Sequence, residues 1–234
     1  MSKRIVITGA SSGIGKVTAE LLASKGHQVL VSARRADALK DLEGAFPGKI
    51  ISFPCDVTNV QQVKDMAAFA DKEMGGVDVL LNNAGLGIFD PLVEAKLEDW
   101  HTMYDVNVKG LLNCVHAFLP ALRKSKGQVI NLGSVASHFV FPNSGIYCST
   151  KHAVLAISES LRVELSNEIS VTTISPGAVA TPFIDQTKNE ELLTNYKPNF
   201  ASGLDPVTIA EQIAHAIELS DRSVVTEIII RPRK

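Results

Sequence analysis

Cysteine is scarce in this 234-residue chain: Cys55, Cys114 and Cys148 are the only three, and they lie far apart. An odd, scattered set gives no disulfide framework and no Cys-x-x-Cys pair, which points to a reducing compartment, the cytoplasm. The six histidines show neither His-x3-His nor His-Glu-x-x-His spacing, so a metal site finds no support. No apolar run approaches the roughly 20 residues of a membrane span, and the stretch after "MSKR" is too short for a signal peptide. A formal charge of −2 gives no global pull toward nucleic acid or anionic membrane. The basic end "RPRK" is too short to change that. With 45% hydrophobic and 21% charged residues, the composition is that of an ordinary soluble globular protein.

Against those absences stands a regular alternation. Short Val/Ile-rich runs recur at 4–8, 28–33, 50–54, 77–83, 128–134, 170–176 and 224–230. Most are apolar nearly throughout, which suits strands covered on both faces. Segments 14–25, 59–74, 97–124, 145–167 and 206–219 carry helical spacing; in 59–74, Val60, Val63, Met66, Phe69 and Ala70 form one stripe, with "GG" as the stop. Strands alternating with helices predict an α/β fold with right-handed crossovers and a parallel sheet. Nothing resembles an interdomain linker, so 1–234 reads as a single domain. Its least regular part, about 182–206, is polar with three prolines, and reads as a helical, substrate-covering lid or a surface excursion.

The loop after the first strand, "TGASSGIGKVT" (8–18), admits three readings. Gly9-Ala10-Ser11-Ser12-Gly13 matches the G-x-S-x-G nucleophile elbow of serine hydrolases. That reading would make Ser11 a nucleophile on the first strand, with almost no upstream chain for an oxyanion loop. Ala10–Val17 is two substitutions from a P-loop, with Val17 where a hydroxyl should hold Mg²⁺. Gly9, Gly13 and Gly15 also form a loosened dinucleotide turn: glycines let the backbone approach a ligand, and helix-start N–H groups favour an anion. A tight turn capped by serines is the plain structural alternative.

Downstream motifs decide among them. "TGASSGIG", "CDV" (55–57), "NNAG" (82–85), Asn107, Ser134, "YCSTK" (147–151) and "PGAVAT" (176–181) follow one another in this order. In that order the chain resembles the short-chain dehydrogenases/reductases over essentially its whole length. The resemblance implies a Rossmann-type, doubly wound, seven-stranded parallel sheet with helices on both faces, binding a nicotinamide dinucleotide. It implies catalytic roles for Asn107, Ser134, Tyr147 and Lys151, with Lys151 also holding the nicotinamide ribose. For the cofactor it implies contacts from Gly9, Ser11, Ser12, Gly13, Ile14 and Gly15, from Asp56 and Val57, and from Asn83, Ala84 and Gly85. Pro176, Gly177, Val179 and Thr181 match the turn near the carboxamide. It further implies a homodimer or homotetramer acting on a small carbonyl or alcohol. "EIIIRP" (227–232) looks most like members acting on small 3-hydroxy acids such as serine.

The chemistry is coherent on the residues alone. Tyr147 and Lys151, four apart on a helix, share a face. A phenol with a pKa of about 10 needs help to ionise, and a nearby ammonium is expected to favour the phenolate. Tyr147 would pass a proton to or from a substrate oxygen, with Ser134 hydrogen-bonding that same oxygen. After the second strand, "SARRAD" puts Arg34 and Arg35 where an NAD site wants an acid, so NADP(H) is favoured over NAD(H). Lys188 and Lys197 could attract a carboxylate, though solvated lid charges explain them more simply. A non-catalytic NADP-binding sensor and the Ser11 hydrolase are the rival classes.

Overall fold

The computed structural model describes residues 2–219 and 223–233; Met1 and the Lys234 of "RPRK" lie outside the described residues. The strands are β1 (Arg4–Thr8), β2 (Gln28–Ala33), β3 (Ile50–Pro54), β4 (Val79–Asn82), β5 (Gln128–Leu132), β6 (Ser170–Pro176) and β7 (Glu227–Ile230). All pair in parallel in the order β3-β2-β1-β4-β5-β6-β7. The order reverses between β1 and β4, so a crevice opens at their carboxyl ends, the usual ligand position of such sheets.

Alternate side chains of the strands feed two cores. Ile5 and Ile7 point with Val29, Val31, Leu81 and Ile130 toward α1 (Gly13–Ser24), α2 (Ala36–Ala45) and α8 (Pro206–Leu219). Val6, Leu30, Leu80 and Val129 point to the other face, against α3 (Val60–Met74), α5 (Leu111–Ser125) and α6 (Gly145–Glu164). Phe118 of α5 is fully buried there; truncating such a ring to alanine typically costs about 3–5 kcal/mol. Helix boundaries follow local chemistry. Asn59 accepts from the N–H groups of Gln61 and Gln62 to start α3, and Gly75 at φ +73° ends it.

α2 lies outside the helical segments read from the sequence, and two further segments differ in detail from that reading. The span 97–124 is one rod but not one regular helix: α4 (Leu97–Tyr104) passes through a π-helical turn at Asp105–Gly110 before α5. Within 182–206, where a helical lid was one of two expectations, lies α7 (Glu190–Ala201), capped by Asn189 and containing Pro198. Its Leu193, Tyr196 and Phe200 pack on a third cluster, around Phe89, Met103, Tyr147 and Ile184, above the carboxyl ends of the strands.

Candidate active site

The crevice is a single long cleft of about 1350 Å³, ample for a dinucleotide plus a small substrate. One arm begins at the β1–α1 loop. Gly9 (φ +68°) and Gly13 (φ +56°) both occupy the left-handed region. Asn83 laces this loop to β4, its amide donating to the carbonyls of Thr8 (2.9 Å) and Gly9 (3.1 Å). A Cβ on Gly15 would stand 2.4 Å from that amide nitrogen. Gly15 is therefore buried behind the cleft rather than on its wall, where Gly9, Ser11, Ser12, Gly13 and Ile14 do lie. The Ser12 side chain does not cap α1, and the first N–H groups of a helix have no intrahelical partner. A Cβ on Gly13 would reach toward Thr181 at 3.2 Å. Such a cradle fits a phosphate.

Arg34 and Arg35 are exposed on the rim, and Arg35 donates to the Ser11 hydroxyl (3.1 Å) and carbonyl (3.2 Å). Ser11 thus serves a guanidinium. Asp56 and Val57 border the same arm; the Asp56 carboxylate is engaged by the Thr58 hydroxyl at 2.8 Å.

At mid-cleft three of the four residues expected to be catalytic, Ser134, Tyr147 and Lys151, converge. Ser134 follows β5, and its hydroxyl accepts from the Ala136 N–H (3.1 Å). Tyr147 and Lys151 sit on α6, both under 10% exposed. The Lys151 ammonium donates to the Leu132 carbonyl (2.7 Å) and lies 5.9 Å from the Tyr147 ring centre. Asn107 is not on the cleft wall. Its side-chain oxygen accepts from the Leu86 N–H (2.9 Å), and its amide donates to the Leu86 carbonyl (2.8 Å) and Thr150 hydroxyl (3.0 Å). The π turn at 105–110 is what presents Asn107 to both partners. Gly85 separates Asn107 from the cleft; a Cβ there would lie 3.2 Å from the Asn107 oxygen and 3.7 Å from the Lys151 nitrogen. Pro176, Gly177, Val179 and Thr181 close the opposite wall.

One electrostatic expectation is reversed. Burial pushes Tyr147 above the ordinary phenol range, with the Ser134 hydroxyl working the other way. The same burial brings Lys151 down to about 8. Desolvation disfavours both charged forms and outweighs the attraction expected from the ammonium. Tyr147 is thereby a proton-bearing acid at neutral pH.

The other arm is apolar. Tyr147 meets Phe89 and Phe183 edge to face, each at 5.5 Å, with Tyr196 5.8 Å from Phe89. α7 is fastened over it: Lys188 pairs with Asp99 (2.6 Å), Asn189 donates to Asp90 (3.0 Å) and the Tyr196 hydroxyl to the Pro142 carbonyl (3.1 Å). Neither Lys188 nor Lys197 borders the cleft, so the lid lysines are not the carboxylate contact offered above. Arg231 and Arg233 border it instead. Sequence reading passed over them because "RPRK" follows a terminal strand whose neighbour, β6, is distant in the chain.

A model of the short chain dehydrogenases matches residues 3–192. The chain belongs to the short-chain dehydrogenase family. It is 41% identical to an uncharacterised oxidoreductase of Staphylococcus saprophyticus, over 98% of this chain and 96% of that one. An alcohol dehydrogenase of Thermococcus sibiricus, solved with 5-hydroxy-NADP, superposes with a TM-score of 0.87 at 30% identity, covering 99% and 97% of the two chains. Serine dehydrogenase of Escherichia coli gives 0.86 at 28% identity, covering 97% of each. Other solved neighbours include one holding NADP and one holding NAD. The protein is thus an oxidoreductase of this family, and the hydrolase reading of Ser11 falls away. No helix among the described residues is long and apolar enough to cross a membrane.

Proposed function

We propose that this short-chain dehydrogenase interconverts a small carbonyl compound and its alcohol with NADP(H), Tyr147 acting as general acid and base. The observation that carries the reading is the convergence of Ser134, Tyr147 and Lys151 at the meeting of a glycine-lined arm and an aromatic one. When bound, the nicotinamide dinucleotide supplies or accepts the hydride. In reduction, the protonated Tyr147 gives its phenolic proton to the substrate oxygen, and the Ser134 hydroxyl steadies that oxygen. In oxidation the proton returns to Tyr147. Lys151 and the buried Asn107 hold the surrounding geometry. Gly9–Gly13 would hold the dinucleotide's phosphates, and Asp56 and Val57 would border its adenine.

Arg34, at the tip of β2, is the residue for a 2′-phosphate, since a guanidinium pairs bidentately with phosphate and no acid follows β2 directly. A 3-hydroxy acid is the substrate class we favour. Arg231, stacked on Phe139 at 4.8 Å, and Arg233 border the cleft and offer charge for its carboxylate, and the serine dehydrogenase neighbour acts in name on such a compound. Exposed Leu112 on α5 and Val163 on α6 suit a homodimer or homotetramer, and three unpaired cysteines suit the cytoplasm.

The test is direct. With a panel of small carbonyls, wild type should consume NADPH, followed at the reduced-nicotinamide band. Tyr147→Phe should bind NADPH normally and lose turnover by about 10²–10⁴-fold. Near-normal turnover in that variant would remove Tyr147 from proton transfer.

A further inference from the structure

Behind the Ser134 turn lies a polar cluster that the reaction as described does not use. β6 and β7 pair with Thr173 opposite Glu227, which sets Ser175, two residues on, diagonally beside the Glu227 side chain. One carboxylate oxygen of Glu227 accepts the Ser175 hydroxyl at 2.8 Å and meets the His138 Nε2 at 2.8 Å. Its side chain is only 25% exposed, that of His138 23%, and neither borders the cleft.

Both partners of that oxygen grip the segment carrying Ser134, one from each end. On the upstream side, Gly133 rests directly on Ser175: a Cβ there would lie 2.9 Å from the Ser175 hydroxyl and 3.0 Å from the Thr173 methyl. On the downstream side, the short 3-10 turn Val135–Ser137 ends at His138. Between these grips, the Ser137 hydroxyl accepts from the Ser134 N–H at 3.2 Å, and the Ser134 carbonyl accepts from the Ser137 N–H at 2.8 Å. The turn has little apolar packing of its own beyond Ala136. Its position therefore depends on polar ties, and a shared acceptor makes those ties act together.

We propose that Glu227 is a positioning residue for Ser134, holding the serine turn against the sheet through His138 and Ser175. The inference rests on the carbonyl–alcohol reading of the site. A substrate oxygen must meet both Ser134 and Tyr147, and hydrogen-bond geometry tolerates only a few tenths of an ångström. Tyr147 is fixed by the long helix α6; Ser134 caps a three-residue turn whose direct ties to β6 are the Gly133 N–H to the Ile174 carbonyl (2.8 Å) and a long bond from its own hydroxyl to the Pro176 carbonyl (3.4 Å), and it needs a side-chain anchor besides. Glu227 supplies it from a strand 93 positions away in the chain, with no contact to the reacting atoms.

A mutant cycle tests this. Glu227→Ala should lower kcat tenfold or more while leaving the KM for NADPH within twofold. In a Ser134→Ala background the same change should cost nothing further, because the positioned hydroxyl is already gone. Glu227→Gln keeps an acceptor oxygen for both donors and should restore at least half of the wild-type rate; His138→Phe should reproduce part of the alanine defect. Losses that multiply in the double variant would overturn the proposal. Amide hydrogen exchange gives a second readout that needs no turnover. In Glu227→Ala, residues 134–138 should exchange at least tenfold faster, with α5 unchanged. Unaltered exchange there would equally overturn the anchoring role. A wild type that turns over no carbonyl while its Ser134 turn loosens on mutation would instead count against the proposed reaction.

Discussion

Lys151 shows how far burial governs this site. In the unfolded chain its ammonium persists to about 10.4, whereas in the folded, cofactor-free protein it gives up its proton near 8. Between these values the unfolded state binds more protons, so this residue makes the protein more stable as pH climbs from 8 to 10.5 and adds a constant penalty below 8. Relative to Lys151→Met, wild type should gain stability across that window, by an amount on the order of 3 kcal/mol, measured by urea unfolding at each pH. A difference that stays flat would mean the ammonium is not desolvated. The sequence offered the Tyr147–Lys151 pair but not the sign of its electrostatics. Spacing on a helix says that two groups are neighbours; only the packing of Phe89, Phe183 and α6 around them says how deeply they are buried.

Helices record a different division between pattern and context. The motifs in order named the family and pointed to Ser134, Tyr147 and Lys151, which the fold brings to one cleft, because close backbone approach and acid–base chemistry restrict residue types at short spacing. α7 was legible only as one of two options, and without bounds, for the opposite reason: its three inward residues, Leu193, Tyr196 and Phe200, are interrupted by Pro198, and they bind a cluster assembled from remote segments. Glycine illustrates the same point within helices. Gly15 in α1 has ordinary helical backbone, yet a methyl there would strike Asn83 at 2.4 Å and the Gly9 carbonyl at 2.7 Å. Gly44 in α2 has nothing within 4 Å. The one substitution should therefore act with opposite signs. Gly15→Ala should destabilise by about 1–3 kcal/mol and weaken NADPH binding, whereas Gly44→Ala should stabilise by about 0.5–1 kcal/mol. Denaturant midpoints of the two variants settle both; equal effects would show that the β1–α1 loop yields more readily than its contacts imply.

For the whole molecule, the cleft spans the carboxyl edge of the sheet and draws walls from nearly every segment of the chain. A ligand bound along it is bound to the folded state alone. NADPH at 100 times its Kd should add about 2.7 kcal/mol, a rise in Tm of roughly 5–11 °C for a domain of this size. NADH at the same concentration should give a smaller rise, and Arg34→Ala should bring the NADPH shift down to the NADH value. A larger shift with NADH in wild type would reverse the cofactor assignment.

The π turn at Asp105–Gly110 also works at this largest scale. A regular helix advances 100° per residue, so every side chain on a straight rod has its bearing set by its neighbours. One wider turn resets that bearing midway. The residues before it aim Met103 into the cluster beneath the lid, and those after it aim Cys114 and Phe118 at the sheet. A single rod thereby serves as a camshaft for two cores, and Asn107 rides on the lobe between them.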